Sequence, residues 1–310
     1  MDVPAATCTP SQHQPTPPTG SQYELSAHGY RAVVTEQGAT LRLLSHDGED
    51  LVRPFPADAS PQGCQGQLLV PWPNRIRDGH YVFDGRDQQL PLTEVERRNA
   101  IHGLANWVPW SLVERSEDAV HQRVQILAQP GWPGPLEVEA THRLGPDGLE
   151  VTITATNIGD GPLPFGCAAH PYLVCGDGPV DRWQVSSPFR EVLEVDDRML
   201  PVSLGPLTED TDLAGAAIGD RHLDTGFTGV EPNRRDGGWQ VVVSHGEHRR
   251  VLWGDTTMTW CQLFTPPQRD SLAVEPMTCG PDAFNPGPTH DDVIRLEPGQ
   301  STTHRWGLSV

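Results

Sequence analysis

The chain has 310 residues, of which 41 are acidic and 22 are basic, and its net charge is −19. All of the basic residues are Arg, and the absence of Lys excludes a Schiff-base aldolase, a pyridoxal-phosphate enzyme of the usual kind and a P-loop NTPase. The acidic balance also argues against a nucleic-acid partner, which normally requires a basic surface.

The 31 Gly and 31 Pro residues favour many short strands joined by turns over long helices. The 6 Cys residues show no C-x-x-C spacing, which indicates free thiols in a reducing compartment rather than a disulfide framework or a zinc site. Residues 1–20 do not resemble a signal peptide, and no apolar run is long enough to span a membrane. We therefore expect a cytoplasmic protein without a membrane partner.

In chain order, the first predicted segment is a disordered tail over residues 1–20, which are rich in Pro, Thr, Ser and Gln. A single domain is predicted over residues 21–310. Strands are predicted from hydrophobic patterning and β-forming residues. They cover residues 30–35, 40–44, 110–113 and 120–127.

Two hairpins are predicted further along the chain. Apolar and polar residues alternate with period two over 136–141 and over 149–156, and Gly145-Pro146-Asp147-Gly148 between them is turn sequence. Residues 241–243 and 251–253 indicate a second hairpin, closed around residues 244–250. The one helix candidate is short, around residues 210–217. This pattern predicts an all-β fold, a large antiparallel β-sandwich with few short helices.

Two loop segments combine ionisable residues with turn residues, and each has two interpretations. Two prolines place Pro71–Gly79 in a loop or an edge strand, where Asn74 and Arg75 could bind ligand hydroxyls or lie on a solvated surface. His102, before Gly103, could face a ligand or be a satisfied loop histidine.

Three further candidate site residues are one histidine and two carboxylates. His170 ends a small, apolar strand, and its small neighbours leave room beside it. Asp224 precedes a Gly, which is typical of an Asx turn and leaves a ligand role open. Glu275 follows the apolar run Leu272–Val274 at a predicted buried strand end. Loss of hydration there would raise the pKa of Glu275 toward that of a working general base.

Seven segments, taken in order, resemble the aldose 1-epimerase (galactose mutarotase) family, and most closely its actinobacterial-type branch. No single segment is specific to the family, but the order and spacing of all seven segments together are specific to it. The segments cover residues 74–79, 99–103, 170–172, 223–227, 261–265, 273–276 and 296–299 with 306–307.

The resemblance implies a large antiparallel β-sandwich that holds a sugar in a cleft on one sheet, without metal or cofactor. It implies Glu275 as the general base at the anomeric hydroxyl and His170 as the general acid at the ring oxygen. His102 becomes a second histidine near that oxygen. The expected sugar-binding residues are Asn74, Arg75, Asp224 and Gln262.

The expected reaction is the interconversion of the anomers of a free aldohexose, by a monomer or weak homodimer. A carboxylate and an imidazolium on opposite sides of the sugar would open and close the ring, and each is expected to stabilise the charge of the other. The alternatives are a hexose-6-phosphate mutarotase, with Arg97 and Arg98 near the phosphate, and a non-catalytic carbohydrate-binding module. A glycoside hydrolase that pairs Asp224 with Glu275, or a lyase, is a third alternative.

Overall fold

The computed structural model describes residues 16–310, which form 26 short strands and three 3-10 helices. The helices are Val95–Arg97, Val180–Arg182 and His290–Asp292. The helix predicted around residues 210–217 is wrong. That segment forms turns because Gly215 has a φ of +74°, which no right-handed helix allows, and isolated bridges tie the segment to a strand.

The strands are β1 Gln22–Ala27, β2 Tyr30–Thr35, β3 Leu41–His46, β4 Glu49–Asp50, β5 Leu68–Leu69, β6 Arg75–Arg77, β7 His80–Phe83, β8 Arg86–Gln89, β9 Asn99–Ile101, β10 Ser111–Arg115, β11 Ala119–Ile126, β12 Leu136–Gly145, β13 Gly148–Asn157, β14 Leu163–Phe165, β15 Ala168–Ala169, β16 Tyr172–Leu173, β17 Gln184–Ser186, β18 Phe189–Val195, β19 Pro201–Pro206, β20 Asp224–Val230, β21 Trp239–His245, β22 His248–Gly254, β23 Trp260–Phe264, β24 Leu272–Met277, β25 Ile294–Leu296 and β26 Ser301–Ser309.

Two eight-stranded antiparallel sheets form the body of the fold. Sheet A has the order β10-β11-β12-β13-β26-β22-β21-β17, and sheet B has the order β19-β18-β20-β23-β24-β15-β5, with β16 also paired to β24. Val138 and Ile153 of sheet A share one hydrophobic core with Leu263 and Val274 of sheet B. The predicted all-β sandwich is therefore confirmed.

Smaller sheets complete the fold, and both predicted hairpins are present. Strands β1 to β4 form a four-stranded sheet, and β14/β25, β6/β9 and β7/β8 form two-stranded sheets. The pairing of β12 with β13 extends to Gly145 and Gly148, as predicted. Strands β21 and β22 pair as far as His245 and His248, so their turn is tighter than the predicted residues 244–250.

The predicted tail over residues 1–20 lies outside the described residues as far as residue 15. Residues 16–20 are described and form a turn in which Thr19 is buried and accepts a hydrogen bond from the backbone of Gln37 at 3.0 Å. Ordered structure therefore begins before residue 21. No helix in residues 16–310 is long and apolar enough to cross a membrane.

Strand β24 contributes side chains to both faces of sheet B. Leu272 and Val274 point into the core between the sheets. Glu275 and Met277 alternate with them, and Met277 joins a smaller cluster with Trp260 that is separate from the main core. Glu275 therefore lies on the face of sheet B that points away from sheet A, where a ligand has access.

Candidate active site

Three predicted site residues lie side by side on sheet B. Gln262 on β23 stands directly opposite Glu275 on β24, and Gly226 on β20 stands opposite Gln262. Asp224 lies two residues before Gly226 and therefore on the same face. The Gln262 amide Nε2 donates to Asp224 Oδ1 at 2.7 Å. Strand register alone thus gathers these polar groups from distant parts of the sequence.

His170 follows β15 and precedes β16, and both strands pair with β24 in one register. Ala168 pairs with Met277 and Tyr172 pairs with Ala273, which places His170 opposite Glu275. The His170 backbone is held by hydrogen bonds to Gln67 at 3.0 Å and from Gly66 at 2.9 Å. His170 Nε2 lies 3.3 Å from Glu275 Oε1. The predicted acid and base are therefore a cross-strand pair on one face of the sheet, and not on opposite sides of a sugar as expected, since 3.3 Å leaves no room for a sugar between them.

Two aromatic neighbours fix the plane of the His170 ring. Tyr172 stacks on it with ring centroids 5.0 Å apart and an interplanar angle of 12°. The Tyr172 hydroxyl donates to the carbonyl of Gly63 at 2.9 Å, which anchors the stack. The ring of His102 meets that of His170 edge-on at a centroid distance of 5.6 Å.

The two-stranded sheet of β6 and β9 positions the remaining predicted residues, Asn74, Arg75 and His102. The backbone N–H of His102 donates to the carbonyl of Asn74 at 2.9 Å, and φ is +52° at Asn74 and +67° at His102. Asn and His are among the residues that tolerate this left-handed region. At Gly103 an added Cβ would lie 2.1 Å from the carbonyl oxygen of Val70, so only Gly allows the His102 turn to pack here.

The guanidinium of Arg75 is clamped by Glu94, a residue that the sequence did not indicate. Arg75 Nε and Nη2 donate to the two carboxylate oxygens of Glu94 at 2.9 and 3.0 Å. Arg75 Nη1 donates to Asn74 Oδ1 at 3.1 Å. Arg97 Nη1 and Asn99 Nδ2 also donate to Glu94, each at 2.9 Å.

One cavity of about 510 Å³ lies among these groups. Every predicted site residue lines it, namely Asn74, Arg75, His102, His170, Asp224, Gln262 and Glu275. The lining residues that the sequence prediction missed include Cys64, Glu94, Glu96, Tyr172 and Phe264. A volume of roughly 300–1,000 Å³ is usual for small-molecule sites.

A local signal existed for two of the missed residues. Tyr172 lies in the segment 170–172, which was already singled out. Phe264 lies two residues after Gln262 on β23 and therefore on the same face. Glu94 had no such signal, because its contact with Arg75 joins residues 19 positions apart through a loop.

Burial dominates the electrostatics of the pair. The side chains of Glu275 and His170 are only 3% and 7% exposed. Burial, with a further contribution from Asp224, raises the pKa of Glu275 well above its usual value, as predicted. Burial lowers the pKa of His170 to about 4. Burial, with His170 and Arg75, also lowers the pKa of His102 well below its usual value.

The expected carboxylate–imidazolium ion pair is therefore wrong for the site without ligand. At neutral pH His170 is a neutral imidazole, and burial favours the protonated form of Glu275. The reason is that removing two charges from water costs more than their mutual attraction returns in so buried a place.

Four buried polar atoms of the cavity have no hydrogen-bond partner within residues 16–310. They are His102 Nδ1, His170 Nδ1, Gln262 Oε1 and Glu275 Oε2. Buried polar groups without partners are costly, and native proteins have few of them. Their side chains all line the cavity, so unmatched donors and acceptors are concentrated at this site.

The arginines and acidic residues around the cavity bear on two other ligand classes, a sugar phosphate and a metal ion. Arg97, proposed as a phosphate contact, is paired with Glu94 at 2.9 Å, and Arg98 is paired with Asp78 at 3.4 Å. Neither arginine lines the cavity. Across the described residues, no group of three or more His, Cys, Asp or Glu side chains is placed to hold a metal ion.

Comparison with known proteins gives concordant matches. The family model described as Aldose 1-epimerase matches residues 21–309. The uncharacterized protein YihR of Escherichia coli (strain K12) is 32% identical, over 94% of this chain and 93% of its own. Galactose mutarotase of Rattus norvegicus is 26% identical, over 62% of this chain and 59% of its own. The crystal structure of a galactose mutarotase-like protein from Clostridium acetobutylicum superposes with a TM-score of 0.82 at 17% identity, over 92% of this chain and 94% of that one.

Proposed function

Because the chain belongs to the aldose 1-epimerase family, we propose that it is a mutarotase that interconverts the α- and β-anomers of a free aldohexose. The observation that carries the proposal is the cross-strand pair of His170 and Glu275, 3.3 Å apart on the floor of a cavity rich in hydrogen-bonding groups. The finer placement in an actinobacterial-type branch stays a prediction.

The reaction opens the hemiacetal and closes it on the other face. The Glu275 carboxylate removes the proton of the C1 hydroxyl while the C1–O5 bond breaks. The electron pair of that bond goes to O5, which takes the proton of the His170 imidazolium. Rotation about C1–C2 presents the other face of the aldehyde, and the reverse transfers close the ring. Each positioned proton-transfer group contributes typically ~10²–10⁴ in rate.

The pair can begin this cycle from its resting state. Burial favours the proton on Glu275 over His170, and its transfer to His170, whose Nε2 lies 3.3 Å from Oε1, produces the carboxylate and imidazolium that the reaction uses. Arg75 opposes the rise of the Glu275 pKa, so it favours this carboxylate form. Because both states hold one proton, ring opening and closure leave the protein unchanged.

The remaining residues are proposed to hold the sugar. Asn74, Arg75, Asp224 and Gln262 present amide, guanidinium and carboxylate groups that suit hydroxyls. His102, a neutral imidazole edge-on to His170, is proposed to lie near the ring oxygen. A module that only binds sugar would gain nothing from a buried carboxyl whose Oε2 lacks a partner, which favours catalysis.

The test is catalysed anomer exchange. Freshly dissolved α-D-glucose and α-D-galactose are followed by polarimetry with wild type, with Glu275→Gln and with Glu114→Gln, which makes the same substitution at an exposed position on β10. Wild type and Glu114→Gln are expected to accelerate the change in rotation, and Glu275→Gln to lose ~10²–10⁴ in rate. Acceleration that survives in Glu275→Gln would refute the mechanism.

A further inference from the structure

The rim loop, residues 91–98, connects β8 to β9 and borders the cavity, but it is not held in place by packing. Thr93, Glu94 and Glu96 of this loop line the cavity. None of residues 91–98 is buried, and Val95 is 71% exposed. A segment without buried apolar side chains opens at low cost, so the position of the rim loop depends on its polar contacts.

Arg198 binds the end of the rim loop from a different sheet. It lies in the turn between β18 and β19, at the edge of sheet B. Its Nε donates to the carbonyl of Arg97 at 3.0 Å, and its Nη2 donates to the carbonyl of Arg98 at 3.1 Å. Arg97 ends the 3-10 helix of the rim loop, and Arg98 is its left-handed C-cap with a φ of +56°. The last carbonyl groups of a helix lack partners within it, and Arg198 supplies the donors.

The turn that carries Arg198 is itself fixed by hydrogen bonds. Asp196 Oδ1 accepts from the backbone N–H groups of Arg198 and Leu200, each at 2.9 Å. The N–H of Met199 donates to the carbonyl of Asp196, also at 2.9 Å. Arg198 Nη2 donates in addition to Oδ1 of Asp78, the residue that directly follows β6, at 2.9 Å. The guanidinium of Arg198 therefore reaches the rim loop from a defined position.

Asn99, which is fully buried, connects Arg198 to the cavity. Its Nδ2 donates to the carbonyl of Arg198 at 3.2 Å and to Glu94 Oε2 at 2.9 Å. Glu94 in turn accepts from Nε and Nη2 of Arg75 at 2.9 and 3.0 Å. Burial raises the pKa of Glu94, but the hydrogen bonds from Arg75 and Asn99 outweigh it, and the net pKa is lowered. A continuous series of hydrogen bonds to an anionic Glu94 thus joins Arg198 to the guanidinium of Arg75.

We propose that Arg198 is a positioning residue of this site, which holds the rim loop from sheet B and thereby fixes Glu94 and the guanidinium of Arg75. Arg198 does not line the cavity, so it acts only through these residues. Without it the end of the rim loop would lose its donors, and Arg75 would lose its fixed orientation toward the ligand. The inference rests on the proposed function, because Arg75 is proposed there to bind the sugar.

The experiment measures kcat and KM for anomer exchange of D-glucose and D-galactose in Arg198→Ala, Arg198→Lys and Arg190→Ala. Arg198→Ala should raise KM about tenfold, as expected for one weakened hydrogen bond to a charged group. It should change kcat little, because strand register and not the rim loop sets the spacing of the acid and the base. Arg198→Lys keeps the charge beside Asp78 but cannot span both carbonyl groups, so its KM should stay raised. Arg190, which pairs with Glu231 at 2.6 Å on the same strand β18, is the matched control and should keep the wild-type KM.

A double-mutant cycle tests whether Arg198 acts through Arg75. Once Arg75 has been replaced by Ala, Arg198→Ala should have little further effect on KM, since the group that it positions is gone. Independent effects of the two substitutions would overturn the inference. A KM that Arg198→Lys restores to the wild-type value would overturn it too, because charge alone would then be sufficient.

A second readout needs no sugar. The Nε–H of Arg75 gives an NMR signal, identified by its absence in Arg75→Lys, and its exchange with water reports the hydrogen bond to Glu94. Arg198→Ala should speed this exchange about tenfold or more, while Arg190→Ala should leave it unchanged. If wild type accelerates neither sugar, the proposed function fails, and this exchange rate decides the inference by itself. An unchanged rate in Arg198→Ala would overturn it and would leave mutarotation intact.

Discussion

His170 and Glu275 face each other across adjacent strands of one sheet, with Nε2 and Oε1 3.3 Å apart. The separation is set by backbone pairing on either side of His170, where Ala168 and Tyr172 both pair with β24. The sheet therefore fixes the distance between acid and base before any substrate arrives. Such preorganisation lowers the cost of reaching a reactive geometry.

The first prediction is the pH dependence of the rate. The pKa of His170 is lowered to about 4 and that of Glu275 is raised, so the pair holds one proton throughout the range between them. The rate should fall at acid pH near 4, as a second proton binds, and at alkaline pH, as the last proton leaves. An acid limb near pH 6.5 would contradict the strong effect of burial.

The second prediction concerns the stack of Tyr172 on His170. Tyr172→Phe keeps the stacked ring and loses only the hydrogen bond to Gly63, so kcat should change little. Tyr172→Leu removes the parallel ring and should lower kcat by about ten- to a hundredfold, because small misplacements of a proton donor are costly. Steady-state kinetics separates kcat from KM. Equal losses in both variants would show that the hydroxyl matters and the stack does not.

The third prediction concerns stability and uses a histidine outside the site. His142 on β12 is fully buried, neither ring nitrogen has a partner among the described residues, and burial lowers its pKa to about 3. Below pH 6.5 the unfolded chain binds a proton there that the folded chain does not. Stability should therefore fall as the pH drops from 6.5 toward 3, with a slope of about 1.4 kcal/mol per pH unit from this group.

His142→Leu should flatten that slope in chemical denaturation at several pH values. His121→Leu, on the same sheet but half-buried beside Glu139, is the matched control and should keep the slope. If the free energy of unfolding falls with pH at the same slope in wild type and in His142→Leu, then His142 is not the cause of the acid sensitivity.

Much of the fold followed from period-two patterning. The β12–β13 hairpin was predictable because its period-two alternation and its turn sequence both indicate a hairpin. Glu275 was predictable as a site residue because a carboxyl group directly after three apolar residues is expected to lose its hydration. The helix around residues 210–217 failed because single-sequence patterns do not contain the bridges to Gln184 and Val185 that hold that segment.

Two features of the site could not be reached from sequence. The clamp of Glu94 on Arg75 depends on how a loop folds back over β6, which no local pattern encodes. The pKa shifts of His170 and Glu275 depend on burial by all of their surroundings. The proximity of the two groups alone predicted pKa shifts in the opposite direction. Both are properties of the assembled surroundings rather than of the residues themselves.

The cavity is lined by two kinds of backbone, namely strands of sheet B and a loop. His170 and Glu275 are fixed by strand register within sheet B, where alternate residues of β24 also build the core. Thr93 to Glu96, which also line the cavity, belong to the connection between β8 and β9, and none of these four residues is buried. Substitutions among these four residues are therefore expected to leave the spacing of His170 and Glu275 unchanged. Substrate preference can then change with a loop, while the acid–base pair depends on the sheet.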